Sequence, residues 1–433
     1  MLYETPRQKR VLIITSLIHF ANDGVSMVPL SIFPLLLTLF GLAAPELGVV
    51  AGMWSVTSVI GSPVVGHLSD RLKRNDTLLA VGLVMMAIGV VGTGWSVTTG
   101  TIRCYLPLDL YPALLLFAAI GGLGSSVCHP IGGTLLGQLY PPSKIGFVLG
   151  LNGGMGSLGR ALYPSLVVIL ISALSLPYGV IALGLLGLLP VTLVGGLSTG
   201  RVPRKTPSGS ESYSILEGVR HPRNDTNNPQ KKSSSGRSVK VSVLVLTTIA
   251  VLRGTFGQGV VSFLSLFIVE VQHYSFSFGV GLLLMIAIIL GAPGQIVFGR
   301  FSDLHRRMSL AVNTAGQSLT FVLYLVTLSN PIMALISLAL FGFFTYSSYP
   351  VFISAVADVV PSDSLSLSNS IVWGIGVLGG NTIGPVIVGL LVGNNLSLLP
   401  TIFLVLAVLS GLSTGLVAFL PRRSKDLTAG PEN

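Results

Sequence analysis

Two stretches, Gly66-His67-Leu68-Ser69-Asp70-Arg71-Leu72-Lys73-Arg74 and Gly299-Arg300-Phe301-Ser302-Asp303-Leu304-His305-Arg306-Arg307, share a G-x-[LF]-S-D core followed by a basic cluster. Each follows one apolar segment and precedes another, at the same place in two halves of the chain. A second matched pair lies further along each half. It consists of Ser125-Ser126-Val127-Cys128-His129-Pro130 and Tyr346-Ser347-Ser348-Tyr349-Pro350. Two pairs in register mark an internal repeat.

Around these motifs the apolar segments run over 11–39, 46–66, 77–99, 110–138, 145–172, 176–198, 241–269, 276–299, 309–329, 331–357, 365–392 and 398–420. Each is near or above the ~20 residues that a membrane-crossing helix needs. Charged residues make up 9% of the 433 and the apolar set 51%, against roughly 25% charged in a soluble domain. So little charge cannot cover a water-facing surface, and the chain must be solvated by lipid. The 52 glycines agree, because glycine lets membrane helices approach closely. The first apolar segment is too long and too polar for a cleavable signal peptide, so none is expected. Cys104, in a polar loop, and Cys128, in the next segment, lie beyond disulfide reach at ~1.5 Å per helical residue.

The net charge of +10 is a matter of placement. Assigning the loops alternately to two sides puts 22 of the 25 Lys and Arg on one side, and the opposite loops hold only Arg103. Arg160 and Arg253 fall inside spans. The positive-inside rule then predicts cytoplasmic termini in a multi-pass protein of the plasma membrane, with no nucleic-acid partner. Residues 199–240, rich in Ser, Pro, Asn and basic residues, read as a disordered cytoplasmic linker. The predicted organisation is a six-helix bundle at 1–198, that linker, and a second six-helix bundle with a short tail at 241–433. Six is even, so both bundles enter the membrane the same way, as parallel repeats.

The doubled loop resembles the signature of the major facilitator superfamily. Its first copy supplies Gly66, Asp70, Arg71 and Arg74, and its second Gly299, Asp303 and Arg307, with Leu304 where Arg is usual. That resemblance implies an all-α fold of twelve transmembrane helices in two bundles, acting as a monomer by alternating access. Within the segments, His19-Phe20-Ala21-Asn22-Asp23, Gly124-Ser125-Ser126-Val127-Cys128-His129-Pro130 and Arg253-Gly254-Thr255 resemble the fosmidomycin-resistance family of exporters. Ile131 stands where that family often has Glu. The fifth segment lacks the family's Gly-Pro end, which the eleventh keeps at Gly384-Pro385. This second likeness implies proton-coupled export of a small, anionic or drug-like molecule.

Charge inside a membrane costs roughly 2.5 kcal/mol or more on insertion scales, so each such residue needs a reason. His19, Asn22 and Asp23 share one helical face, and Asp23 lies about 18 Å beyond Val11, near the midplane. Asp23 reads either as a proton- or substrate-handling carboxylate or as a fixed hydrogen-bond anchor. In a facilitator-like fold segments 1, 4, 7 and 10 line the cavity, which would let His129 approach His19; a buried neutral histidine is the plainer reading. Arg253 needs an anion, either Asp23 or part of a substrate. Arg160 lies at similar depth. Tyr346 and Tyr349 either line the cavity or pack in the core. The loop motifs read as gates, with positive-inside anchoring as the alternative for the basic residues.

No catalytic constellation, cysteine cluster or phosphate-binding loop is visible, so no enzyme activity, metal, cofactor or ATP drive is expected. Beside export, the pattern leaves room for proton-linked uptake of an organic anion or sugar, and for a non-transporting sensor on the same scaffold.

Overall fold

The computed structural model describes residues 5–72, 74–98, 109–198, 236–360 and 365–421. Among the described residues twelve helices are long and apolar enough to cross a membrane. They are α1 (Pro6–Phe40), α2 (Ala44–Leu72), α3 (Asn75–Ser96), α4 (Leu110–Leu139), α5 (Phe147–Leu174), α6 (Leu176–Leu197), α7 (Val239–Val271), α8 (Phe278–Ser302), α9 (Arg306–Val326), α10 (Pro331–Val356), α11 (Ser368–Val392) and α12 (Leu396–Phe419). An even number of crossings brings the first and last described residues, Thr5 and Pro421, to one side, here called the terminal side.

Local chemistry sets the helix ends and breaks. α1 starts earlier than the apolar run because Thr5 and Gln8 form a reciprocal capping box with Pro6 in the first turn. Gln8 Nε2 also donates to the Leu139 carbonyl at 2.7 Å, tying the start of α1 to the end of α4. α4 is interrupted at Ser126–Val127, where Pro130 removes the amide that would bond the Ser126 carbonyl. Ser62 Oγ on α2 reaches that carbonyl at 3.4 Å. α10 is interrupted in the same way at Ser347, three residues before Pro350. Most of the expected linker lies outside the described residues. Its last part, 236–240, is already helical, since the helix carrying α7 begins at Gly236.

The repeat is visible in the packing. α1 lies along α5 as α7 lies along α11, and α3 packs on α4 and α6 while α9 packs on α10 and α12. The two sets of six meet through α2 with α11 and α5 with α8, pairs that exchange under the same repeat. These junctions close most tightly on the side away from the termini. There Gly48 sits against the Pro385 carbonyl, and a Cβ at Gly389 would lie 2.5 Å from the Ala44 carbonyl. Gly281 of α8 rests on Pro164 and Ser165, and Ser265 Oγ of α7 donates to Leu30 O of α1 at 2.6 Å. Such close backbone approach is what small residues give in membrane helix packing.

This closure predicts the effect of a larger residue. Gly48→Val should force α2 off α11, a strain of about 1–3 kcal/mol by overpacking. The distance between spin labels at the exposed Leu39 and Leu391 should then lengthen; an unchanged distance would show that the crossing does not hold this side shut.

Candidate functional site

Midway along α1 the backbone presents His19 and Asp23 one turn apart, facing α5. Asp23 is 2% exposed, and three cationic or protonatable groups converge on its carboxylate. Arg160 of α5 approaches Oδ2 at 2.9 Å, His19 Nε2 approaches the same oxygen at 3.1 Å, and His129 Nε2 of α4 lies 3.7 Å from Oδ1. Asn22 Nδ2 donates to Oδ1 at 3.0 Å. A carboxylate in hydrocarbon needs this partnering, because unpaired it would carry several kcal/mol of desolvation.

The histidines are held differently. The other ring nitrogen of His19, Nδ1, lies 2.8 Å from Asn152 Oδ1, and the Asn152 amide donates in turn to Ser16 Oγ at 3.4 Å. His129 stacks edge-to-face on His19 at 4.8 Å between centroids. Its side chain is 49% exposed, against 11% for His19, so His129 is the more open of the two rings. The break in α4 beside Pro130 sets the angle at which that ring leaves the helix.

Gly156 makes the cluster possible. A Cβ there would collide with Asp23 Oδ2 and lie 2.6 Å from His19 Cδ2. Asn152, Gly156 and Arg160 recur every fourth residue, so α5 offers α1 one face of amide, gap and guanidinium.

Arg160 also reaches the second half: its Cζ lies 5.5 Å above the ring of Tyr346 on α10, a cation–π contact. Arg253 is placed elsewhere. Its guanidinium donates to the carbonyls of Phe344 and, at 3.5 Å, Thr345, immediately before Tyr346. These carbonyls belong to the last turn before the α10 break, and a cation there complements the helix C-terminus. Asn313 of α9 donates to the same Phe344 carbonyl at 3.1 Å and to Ser347 Oγ at 2.8 Å. The sequence left Arg253 a choice of Asp23 or a substrate anion; the structure gives Asp23 to Arg160 and gives Arg253 to backbone oxygen. Arg253 thus braces the bend that carries Tyr346 to Arg160.

The loop residues separate in the same manner. Arg307 donates to the carbonyls of Val417 at 2.8 Å and Ala418 at 3.3 Å, capping the end of α12. Arg306 pairs with Asp358 at 3.0 Å, joining the start of α9 to the end of α10. Asp70 and Arg71 are exposed at the end of α2, Arg74 precedes α3, and Gly66 and Gly299 lie within α2 and α8. Lys73 and the side chains of Asp303 and Tyr349 lie outside what the structure describes. Gln295 of α8, which the sequence reading passed over, donates to Gly153 O at 3.3 Å and Ser157 Oγ at 3.0 Å across the junction with α5.

His19, Asp23 and His129 place three ligand atoms within 4.8 Å of one another. That spacing would span a metal ion, but the Arg160 guanidinium sits on the same carboxylate and opposes a second fixed cation. The donor set suits protons and anions better than a metal.

Comparison with known proteins agrees with this architecture. A family model described as Major Facilitator Superfamily matches residues 15–371 and 278–432. The uncharacterised MFS-type transporter YfnC of Bacillus subtilis (strain 168) is 24% identical over 384 residues, covering 87% of this chain and 86% of the relative. The fosmidomycin resistance protein of Escherichia coli (strain K12) is 28% identical over 164 residues, 38% of this chain and 36% of its own length. Among solved structures, an inward-facing, occupied bacterial homologue of the human lysosomal transporter Spinster superposes with TM-score 0.72 at 15% identity, over 99% of this chain and 100% of that one. The inward-open xylose transporter XylE from E. coli gives 0.69 at 15% identity, over 96% of each chain.

Replacing Gly156 tests the packing at this site. Gly156→Ala should lower thermal stability in detergent by about 1–3 kcal/mol, because neither the carboxylate nor the ring can retreat into a filled interior. A melting temperature equal to that of the parent would mean that α1 and α5 are less closely fitted than described.

Proposed function

The chain belongs to the Major Facilitator Superfamily, and from that membership we propose that it is a proton-coupled exporter of a small molecule whose coupling centre is His19, Asp23, His129 and Arg160. The observation that carries this reading is one buried carboxylate contacted by a guanidinium and two imidazoles. With His19 Nδ1 donating to Asn152, Nε2 faces Asp23 Oδ2 at 3.1 Å, a separation that a shared proton makes attractive. His129, the exposed member, is the entry point for that proton, and Asp23 and His19 are its inner holders.

Arg160 links this chemistry to movement. It contacts Asp23 in the first half and Tyr346 in the second, so a proton that weakens its hold on Asp23 changes what ties the halves together. Shifting the balance between two packed arrangements in this way is all that alternating access requires. The rocking units are 1–198 and 241–433, joined by 199–240. The basic residues make the terminal side cytoplasmic. Export as the direction rests on the partial likeness to the fosmidomycin resistance protein.

One observation favours a second reading. Protonating Asp23 would free Arg160 for a substrate anion, so proton and anion would bind together, as in proton-linked uptake of an organic anion. For export, substrate and proton must instead compete for the centre.

Proteoliposomes separate the two. With fosmidomycin as probe and a pH gradient imposed in either sense, export predicts movement against the proton gradient, and uptake predicts movement with it. Flux unaffected by the gradient would remove proton coupling altogether. Asp23→Asn should abolish the gradient-driven component while leaving membrane insertion intact; gradient-driven flux equal to the parent would exclude Asp23 as the coupling group.

A further inference from the structure

The second half holds a buried polar cluster of its own, apart from the one around Asp23. Arg253 of α7 and Asn313 of α9 both donate to the Phe344 carbonyl beside the α10 break. One turn further along each helix, Gly257 follows Arg253 and Gln317 follows Asn313. A Cβ at Gly257 would lie 2.5 Å from Gln317 Nε2 and 3.4 Å from the methyl carbon of Thr345. Three helices therefore meet around polar side chains at a point where α7 carries no side chain. Beyond Gln317 the rings of Phe256, Phe321 and Phe341 pack on one another, each fully buried.

Asn313 and Gln317 are 0% exposed and Arg253 4%. Yet Arg253 Nε, Asn313 Oδ1, both amide atoms of Gln317 and Thr345 Oγ1 are buried with no hydrogen-bond partner among the described residues. A single buried polar atom in that condition is uncommon and costly, so a group of them in one place marks a bound ligand. The donor and acceptor pattern selects which. The Arg253 guanidinium repels a bound cation. An anion would meet Asn313 Oδ1, which is held in place because Nδ2 donates to Phe344 O and Ser347 Oγ. Water both accepts from Arg253 Nε and donates to Asn313 Oδ1. We propose that Arg253, Asn313, Gln317 and Thr345 bind about two ordered waters, at roughly three hydrogen bonds per buried water, and that these hydrate the guanidinium inside the second half. This site depends neither on the transported molecule nor on proton coupling.

X-ray hydroxyl-radical footprinting of the purified full-length protein tests it, because radiolysis turns a bound water into a radical that oxidises the side chains beside it. Phe321, one turn from Gln317, should be labelled well above Phe267, which is equally buried but about 15 Å further along α7 than Gly257. Gln317→Met keeps the length of the side chain and removes its polar atoms. In that variant the labelling of Phe321 should fall to the level of Phe267. The melting temperature should fall as well, because Arg253 Nε and Asn313 Oδ1 lose the waters that join them. Two results would overturn the assignment. One is labelling of Phe321 in the parent no higher than that of Phe267. The other is a higher melting temperature in the variant, as expected when an unpartnered amide is removed from a dry interior.

Discussion

A single carboxylate buried at mid-membrane organises this molecule. Asp23 cannot sit in hydrocarbon unaccompanied, and the cost of its charge explains why polar groups on α1, α4 and α5 converge there. Gly156 is kept small to admit it, the α4 break turns His129 toward it, and Asn152 orients the histidine beside it.

The second half answers with backbone rather than acid. Arg253, Asn313 and the interrupted α10 form a brace in which a guanidinium and an amide satisfy carbonyls left by a broken helix. The two halves share a repeat, yet among the described residues the carboxylate buried within a span, Asp23, lies in the first. They touch at Arg160 and Tyr346, where the charge of one half lies over an aromatic ring of the other. That asymmetry is what a transporter of this superfamily needs if one half is to hold the exchangeable charge and the other is to respond to it.

Much of this was legible in the sequence, because hydropathy and repeated motifs are long-range averages that survive local error. The twelve spans and the matched halves follow from hydropathy and repeated motifs, whereas grouping α1, α4, α7 and α10 around a cavity came from the facilitator resemblance. The choice of partners did not follow. Arg160 and Arg253 lie at similar depth, and nothing in periodicity says which faces Asp23; that depends on how α5 lies along α1. The four-residue recurrence of Asn152, Gly156 and Arg160 was available as a signal, masked by the glycine-rich stretch around it. Arg307 read as a gate because its neighbours repeat, whereas its bonds to Val417 and Ala418 make it a helix cap, a role that depends on a helix more than a hundred residues away.

We propose that the cluster around Asp23 binds an exchangeable proton. Proton uptake by the purified protein in unbuffered detergent solution, followed with an indicator dye during a step to lower pH, measures this without knowledge of the substrate. Asp23→Asn should take up about one proton fewer than the parent over the step, whichever of Asp23 and His19 holds it. Equal uptake by the two proteins would contradict it.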